Sequence, residues 1–572
     1  MLPTTAQTRG REGRRGFPFR TLAGAMIVVL AGAAACTGTV DGDGSKGPSP
    51  STDPTTPPTT STSPSGVECT TGTSLAPARV WRITDEQYVN IVREVFGVTM
   101  PAEVSEARVE TADFTNLSEL SIVNPNTALA YETAARQAAA QAVTSHLATF
   151  LPCGDKTCVD GFIRNRVARA FGRPLTDTEV ADLVAIYDSS GVDGPSVGVR
   201  LVIEAALQAP SFLYRTELGP LTPGGPTAKV MLTPHEIASA LSFALYESVP
   251  DDSLWAKAMD GSLATPSVLA AEVDRLLATD AVAANLSKKA GYWLGIERLA
   301  RTEKDPAIFP EFTPSLKDSL YKSAQLFVQD LFKNGNIADL LSSKRMYLNQ
   351  ELATVYGIPG VTSTELLPVD VTLPQWNLGI LSQPAVLAAF SRPTVSDPIH
   401  RGLFVYYALA CGGQIPAPPP GALEIADTFP KDATERELAG LRAMSTCAGC
   451  HSLFDPLGLA TEKYDPIGRY NEAIDSTSTI AGLGPELDGA VTGLPELASR
   501  LSVGRRLSDC ASTNLAPFVL GREVKVDTSC SLQEVKDKFA ETGTFADFFR
   551  AMLTSPGFVT RDPAAAEGTE MP

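Results

Sequence analysis

The chain has 572 residues, of which 44% are hydrophobic, and its formal net charge at pH 7 is −18. This composition excludes a wholly disordered chain, and the length suits about three or four packed domains. An acidic surface repels the phosphates of nucleic acids, so we expect no nucleic acid among the partners.

The N-terminus has the layout of an export signal. Several arginines precede an apolar run from Leu22 to Ala35, which is too short to span a membrane comfortably. The run ends in three alanines and Cys36, and this resembles a bacterial lipoprotein box. We therefore expect residues 1–36 to be a signal peptide and Cys36 to be lipidated. The alternative is an ordinary secretory signal that is cleaved near the alanines.

Residues 37–66 consist mainly of Gly, Asp, Pro, Ser and Thr. Such a segment cannot bury a core, so we predict a disordered tether behind the lipid anchor. The body would then contact a lipid membrane through its N-terminal anchor only. The predicted location is that of an exported lipoprotein, in the periplasm or outer membrane of a Gram-negative-type bacterium.

The remainder of the chain carries helix-start signals, and alternating β-branched runs are scarce. Capping-box or Thr-Pro patterns precede periodic apolar residues at Thr84, Thr176, Thr233, Thr265, Thr313, Thr434 and Ser531. Loops rich in Pro and Gly fill the gaps. The sequence predicts a mainly α fold with several helical blocks and long loops.

One internal repeat is visible. Residues 172–215 and 521–561 share a frame that begins with Gly-Arg and closes with L-x-x-P-x-F-x-x-R. This frame predicts two copies of one helical hairpin, in which the proline ends the second helix. If the duplication is real, the copies pack together and bring the chain ends together. The alternative is a coincidence of common helix stops.

The chemistry concentrates at Cys447-Ala448-Gly449-Cys450-His451. The pattern C-x-x-C-H is typical of covalent haem attachment, with the two thiols on one helical turn and the adjacent His as proximal iron ligand. We therefore predict a covalently attached c-type haem on Cys447, Cys450 and His451. The alternatives are a structural disulfide between the two cysteines or half of a zinc site.

The other cysteines are even in number once Cys36 and the haem pair are set aside. An even remainder in an oxidising compartment suggests three disulfides. The local pairings favoured are Cys153–Cys158 and Cys510–Cys530, which leave Cys69–Cys411 by elimination.

A second axial iron ligand would separate an electron carrier from an enzyme with an open iron site. Met552 and His400 are the candidates. Met552 lies in an apolar helix, where core filling is the competing role. His400 lies near a helix start, where a structural role competes.

The residues that follow the motif are equally distinctive. The string CAGCH…DPLGLATEKYDPIGRY closely resembles the haem-bearing block of the secreted planctomycete cytochrome c type family, and further blocks of that family follow in order over residues 79–561. One departure is Tyr246, where the family's third block usually carries Trp. The resemblance implies secretion and cytochrome character but no established substrate, because most of the family's modules have no known function.

These observations divide the body into five blocks. They are an N-terminal helical block (67–150), a helical hairpin block with the first repeat copy (151–220), a central helical domain (228–360), a cytochrome-c-like haem block (375–500) and a C-terminal helical block with the second copy (505–562).

The sequence favours a membrane-tethered c-type haem protein that works in electron transfer or a coupled redox reaction, with a basic or cationic redox partner. The body is larger than the roughly 100 residues that electron transfer needs, so a peroxidase-like or oxygenase-like haem enzyme with an open distal iron site is the alternative. A non-redox surface binding scaffold is a third possibility.

Overall fold

The computed structural model describes residues 77–101, 104, 125–220, 229–418, 420–522 and 529–562. Within them the chain forms 24 α-helices and eight short strands, so the mainly α prediction is confirmed. None of these helices is both long and apolar enough to cross a bilayer. The predicted signal peptide with Cys36, the tether and Cys69 lie outside the described residues.

The N-terminal helices share one hydrophobic cluster. They are α1 (Asp85–Phe96), α2 (Pro125–Phe150), α3 (Val159–Phe162), α4 (Ala168–Ala170), α5 (Asp177–Asp188), α6 (Pro195–Ala206) and α7 (Pro210–Leu213). A π-helical turn, Ile163–Val167, joins α3 to α4. The buried face of α2 is rich in alanine and packs against α6, since small side chains let two helices approach closely.

A second, larger cluster runs through the rest of the chain. Its first helices are α8 (Pro234–Tyr246), α9 (Asp252–Met259), α10 (Pro266–Leu277), α11 (Asp280–Trp293), α12 (Pro314–Asn334), α13 (Asp339–Ser342), α14 (Gln350–Val355) and α15 (Pro384–Ala389). They are followed by α16 (Pro398–Phe404), α17 (Ala422–Ala426), α18 (Glu435–Ala443), α19 (Ala448–Leu459) and α20 (Gly493–Leu501). The last are α21 (Arg506–Leu520), α22 (Ser529–Thr542), α23 (Phe545–Thr554) and α24 (Pro556–Val559).

The strands form four two-stranded antiparallel pairs. They are β1 (Arg79–Arg82) with β2 (Tyr214–Glu217), β3 (Val230–Met231) with β8 (Thr560–Arg561), β4 (Arg345–Leu348) with β5 (Leu367–Asp370), and β6 (Thr477–Ile480) with β7 (Gly489–Thr492). A further bridge joins Pro77 to Asp562. The two ends of the described body therefore meet.

The helix-start signals are confirmed at most positions. Reciprocal capping boxes form at Thr84, Thr176, Thr233 and Thr434. The predicted prolines Pro266 and Pro314 are the first residues of α10 and α12. The signal at Ser531 is misplaced, because α22 already begins at Ser529.

The two copies of the predicted repeat have a similar order of elements. Each copy turns at a glycine with positive φ, Gly172 or Gly521, continues into a packed pair of helices (α5 with α6, α22 with α23) and ends in a short strand. The prolines were predicted to end the second helix of each copy, but they also begin a further helix. Pro210 and Pro556 begin the four-residue helices α7 and α24, because proline suits the first helical position.

The two copies meet at a buried carboxylate, that of Glu217. Arg79 donates to it at 2.8 Å and Arg561 at 2.9 Å, while Arg215 lies 3.8 Å away. Arg215 closes the first repeat copy and Arg561 closes the second. The side chain of Trp81 lies between Arg79 and Arg215, with its ring centre 4.1 Å and 4.5 Å from their guanidinium carbons. This cluster joins the two ends of the fold.

The disulfides differ in part from those expected. Cys153 pairs with Cys158 as predicted. Cys411 pairs with Cys510, so both Cys510–Cys530 and Cys69–Cys411 are wrong. The reason is tertiary, since α21 packs against the π-helical turn Val405–Leu409 just before Cys411 and brings the two Cα atoms to 5.3 Å. The side chain of Cys530 lies outside the described part.

Candidate functional site

The C-x-x-C-H motif begins helix α19, with Cys447 as the residue before its first turn. This helix packs tightly against α16 through two glycines. A Cβ atom on Gly402 would overlap the Phe454 carbonyl, and one on Gly458 would overlap that of Pro398. The helices therefore run antiparallel with their backbones in contact, and this fixes the position of the motif on the core.

The imidazole of His451 is held by a carboxylate one turn further along the same helix. Its Nδ1 lies 3.0 Å from Oδ1 of Asp455, and the other oxygen of Asp455 accepts a hydrogen bond of 2.7 Å from Nε of Arg442. A carboxylate only accepts, so Nδ1 carries the proton. The side chains of Asp455 and Arg442 are 6% and 9% exposed, whereas that of His451 is 23% exposed.

The other ring nitrogen of His451, Nε2, lies on the side of the ring away from Asp455. Among the described residues Nε2 has no hydrogen-bond partner, while the ring packs on Phe454 with their centres 4.8 Å apart. In the neutral form of a histidine that donates from Nδ1 to a carboxylate, Nε2 is the unprotonated nitrogen, and this is the usual arrangement behind a metal-bound imidazole. Of the two ring nitrogens, Nε2 is therefore the one that lies free of hydrogen bonds to the described residues.

Cys447 and Cys450 are free thiols of intermediate exposure. No disulfide joins these two cysteines, although two other disulfides are present in the described part of the chain. The zinc alternative has no support either, because the described residues contain no group of three His, Cys, Asp or Glu side chains placed to hold a metal ion. The two thiols flank the first turn of α19 on the side of His451.

A tyrosine pair on the π-helical turn Val405–Leu409 lies beside this turn of α19. Burial raises the pKa of Tyr406, and the neighbouring Tyr407 and Cys450 add to that effect. The Tyr406 hydroxyl donates to the Gly413 carbonyl at 2.9 Å. Tyr407 packs edge-on against Tyr406 at 5.0 Å and is 45% exposed, so aromatic side chains lead from the thiol region to the surface.

The string DPLGLATEKYDPIGRY folds around the guanidinium of Arg401, which is 2% exposed. Arg401 donates to the carbonyls of Tyr464 at 2.6 Å and Asp465 at 2.8 Å. The Asp465 carboxylate in turn accepts a bond of 2.7 Å from Arg469, which also pairs with Glu311. These contacts fix the loop after α19.

The two candidates for a second axial ligand, His400 and Met552, lie in different surroundings. The His400 ring bonds Asp397 at 2.7 Å. The contacts of Gly402 with Phe454 and of Gly458 with Pro398 place the backbone of residue 400 near residue 456, about 7.5 Å along α19 from His451 at about 1.5 Å per residue. Met552 is 3% exposed in the core, on a helix that packs against α10, α12, α21 and α22.

Sequence reasoning missed the two residues behind His451. Asp455 was detectable, because a carboxylate four positions after a histidine lies on the same helix face. Arg442 had no such signal, since it comes from the preceding helix α18 and meets Asp455 only after the turn between the helices.

The residues present fit a covalent haem. Its attachment needs two reduced thiols on one helical turn and an imidazole with a free nitrogen, and Cys447, Cys450 and His451 supply both. The pairing of the other described cysteines leaves these two as free thiols.

Three family models match the chain in series. They are PSD5, a protein of unknown function (DUF1595), over residues 158–217, PSD4, a protein of unknown function (DUF1592), over residues 232–358, and PSCyt3, a protein of unknown function (DUF1588), over residues 377–474. The last includes the C-x-x-C-H motif. No curated protein and no solved structure matches the chain.

Proposed function

This chain belongs to the planctomycete cytochrome-c-type multi-domain family, and on that premise we propose that it is an exported, membrane-tethered c-type haem protein that works in electron transfer or a coupled redox reaction. The observation that carries the proposal is the pair of free thiols beside an imidazole whose Nδ1 is bonded to Asp455. Bound there, haem would supply one-electron chemistry.

The roles of the residues follow from their contacts. Cys447 and Cys450 would hold the porphyrin through thioether bonds, and Nε2 of His451 would bind the iron. Asp455 keeps the proton on Nδ1 and orients the ring, and the buried Arg442 balances the charge of Asp455. The close contact of α16 with α19 keeps this set rigid.

Export has separate support. The two disulfides in the described body are of the kind that persists in an oxidising compartment. Lipidation of Cys36 and a location in the periplasm or outer membrane complete the proposal. The net charge of −18 favours a basic or cationic redox partner.

An enzyme with an open distal iron site is the second candidate. It is favoured by the positions of His400, which bonds Asp397, and of Met552, which fills the core. An iron that is held by His451 without a second protein ligand would be open to substrate.

The decisive experiment is expression of the full chain in a host that matures c-type cytochromes. We expect haem absorbance that survives denaturation, and its loss in the double variant Cys447→Ala/Cys450→Ala but not in Gly449→Ala. A colourless product, from cells that mature a second c-type cytochrome in parallel, would refute the proposal. Carbon monoxide binding by the reduced protein would favour the enzyme. Low-spin absorbance bands without carbon monoxide binding would favour the electron carrier.

A further inference from the structure

A surface cleft of about 800 Å³ lies in the N-terminal half of the body, far along the chain from the haem motif. Its walls are the end of α1, the π-helical turn Ile163–Val167 with α4, and α9, and all of its lining residues lie between positions 94 and 259. The volume falls in the range of about 300–1,000 Å³ that is typical of ligand sites. π-Helical turns also occur frequently at functional sites.

One wall of the cleft is cationic, in a chain whose net charge is strongly negative. It carries Arg164, Arg166 and Arg169. Arg164 pairs with the exposed carboxylates Asp160 and Asp177. Arg166 donates only a long bond of 3.4 Å to the Val95 carbonyl, and it forms no ion pair within the described part of the chain. Its charge is therefore available to a ligand.

Another part of the lining is an indole, that of Trp255, which its neighbours hold in a fixed orientation. The guanidinium of Arg169 lies over the Trp255 ring at 5.2 Å, and the ring of His235 packs against it at 5.8 Å. Arg169 is itself anchored by a bond of 2.9 Å to the Pro250 carbonyl and by Asp252 at 3.0 Å. The part of the indole that Arg169 and His235 leave uncovered lines the cleft, and a fixed aromatic surface binds apolar groups at little entropic cost.

Two carboxylates in the cleft limit which classes of ligand can bind there. Glu94 and Asp252 both line it. They accept hydrogen bonds from hydroxyl groups, so a ligand that carries hydroxyls beside its anionic group fits this lining better than a simple anion does. An unpaired guanidinium in the same cleft favours a carboxylate on the ligand, because that contact can be bidentate. Hydroxyls, a carboxylate and a ring with an apolar face occur together in a uronic acid.

We propose that this cleft binds an acidic oligosaccharide, with a ring against Trp255, a sugar carboxylate on Arg166 and hydroxyls on Glu94 and Asp252. The site does not depend on the haem block, since none of its lining residues lies there.

Calorimetric titration of the full purified chain tests the proposal. The probes are the trimers of galacturonate, mannuronate and glucuronate, each beside its uncharged methyl ester. We expect at least one acid to bind about tenfold or more tightly than its ester, because the ester cannot pair with Arg166. Failure of all three acids to bind, or equal affinity for acid and ester, would overturn the proposal.

Variants assign the binding to this cleft. Arg166→Gln should weaken acid binding about tenfold and leave ester binding unchanged, consistent with the loss of one charge-assisted contact. The matched control is Arg200→Gln, which removes a partly buried arginine paired with Glu204 on α6, outside the cleft. Full affinity in Arg166→Gln, with an unchanged melting temperature, would also overturn the proposal. Since no readout involves haem, the result is independent of the proposed redox function.

Discussion

The Nε atom of Arg561 donates a hydrogen bond of 2.9 Å to the Oε2 atom of Glu217, 344 residues earlier in the chain. Both side chains are almost fully buried. Around this contact the ends of the two repeat copies meet, and the pairing of β3 with β8 continues it. The relationship explains why a body of serial blocks closes on itself.

The first prediction concerns this buried carboxylate. Glu217→Gln leaves Arg79, Arg215 and Arg561 without their shared anion, and we expect a loss of about 3–5 kcal/mol in the free energy of unfolding. Urea titration followed by circular dichroism measures it. The control is Glu86→Gln, which breaks an exposed pair with Lys288 and should cost less than about 1 kcal/mol. Equal losses in the two variants would contradict the assigned role.

The second prediction concerns acid stability. Hydrogen bonds from Arg173 lower the pKa of Glu179 to about 2. The pKa of a glutamate in an unfolded chain is about 4.3. Between these pH values the unfolded state binds more protons, so the stabilisation by Glu179 is complete above about pH 4.3 and is lost as the pH falls toward 2. We expect Glu179→Gln to flatten the stability curve over this window. Parallel curves for the two proteins would show that Glu179 contributes nothing there.

The third prediction concerns the contact that positions the haem motif. Gly458→Ala places a methyl group on the Pro398 carbonyl, so α16 and α19 must separate. We expect a loss of about 1–3 kcal/mol, typical of overpacking, and reduced haem attachment. Gly449→Ala, on the same helix, meets nothing within 4 Å and should behave as the parent protein in both thermal melting and haem content. Indistinguishable melting curves for the two variants would be inconsistent with the contact.

The fourth prediction concerns the disulfides. Non-reducing peptide mapping should recover a peptide pair that links Cys411 to Cys510. Replacing both by Ala should cost about 2–4 kcal/mol, since the bond closes a long loop. The control is the double variant Cys153→Ala/Cys158→Ala, whose bond spans a separation of 5 instead of 99 and should cost less. Recovery of a Cys510–Cys530 peptide would contradict this connectivity.

The fifth prediction rests on the proposed haem. Asp455→Asn removes the negative charge behind His451, which makes the imidazole a weaker donor to the oxidised iron. We expect a higher midpoint potential in redox titration. Asp475→Asn, an exposed aspartate in the same block that pairs with Arg436, is the control and should leave the potential unchanged. A potential equal to that of the parent protein in Asp455→Asn would show that the carboxylate does not act on the iron.

Much of the local structure could be predicted from the sequence. Capping signals such as those at Thr84 and Thr434 depend on residues within one turn, so they survive any tertiary arrangement. The repeat was visible for the same reason, because each copy carries its own turn glycine and its own proline. The Cys153–Cys158 bond closes a short local loop and was equally accessible.

The errors lie where distant segments meet. Cys510 was paired with the nearer Cys530, whereas the packing of α21 on the π-helical turn brings it to Cys411. The partners of Glu217 and the contact of Arg442 with Asp455 behind His451 were missed for the same reason, because these contacts join different secondary-structure elements. No spacing rule connects residues that belong to different elements.

The sequence by itself determined the helical class, the repeat and the C-x-x-C-H motif, because hydrophobic period, helix caps and motif spacing are properties of neighbouring residues. Only the tertiary structure decided which cysteines pair, what holds the imidazole and where a cationic cleft forms. These depend on long-range packing, in which the free energy of burying one element against another selects partners that local preferences leave open.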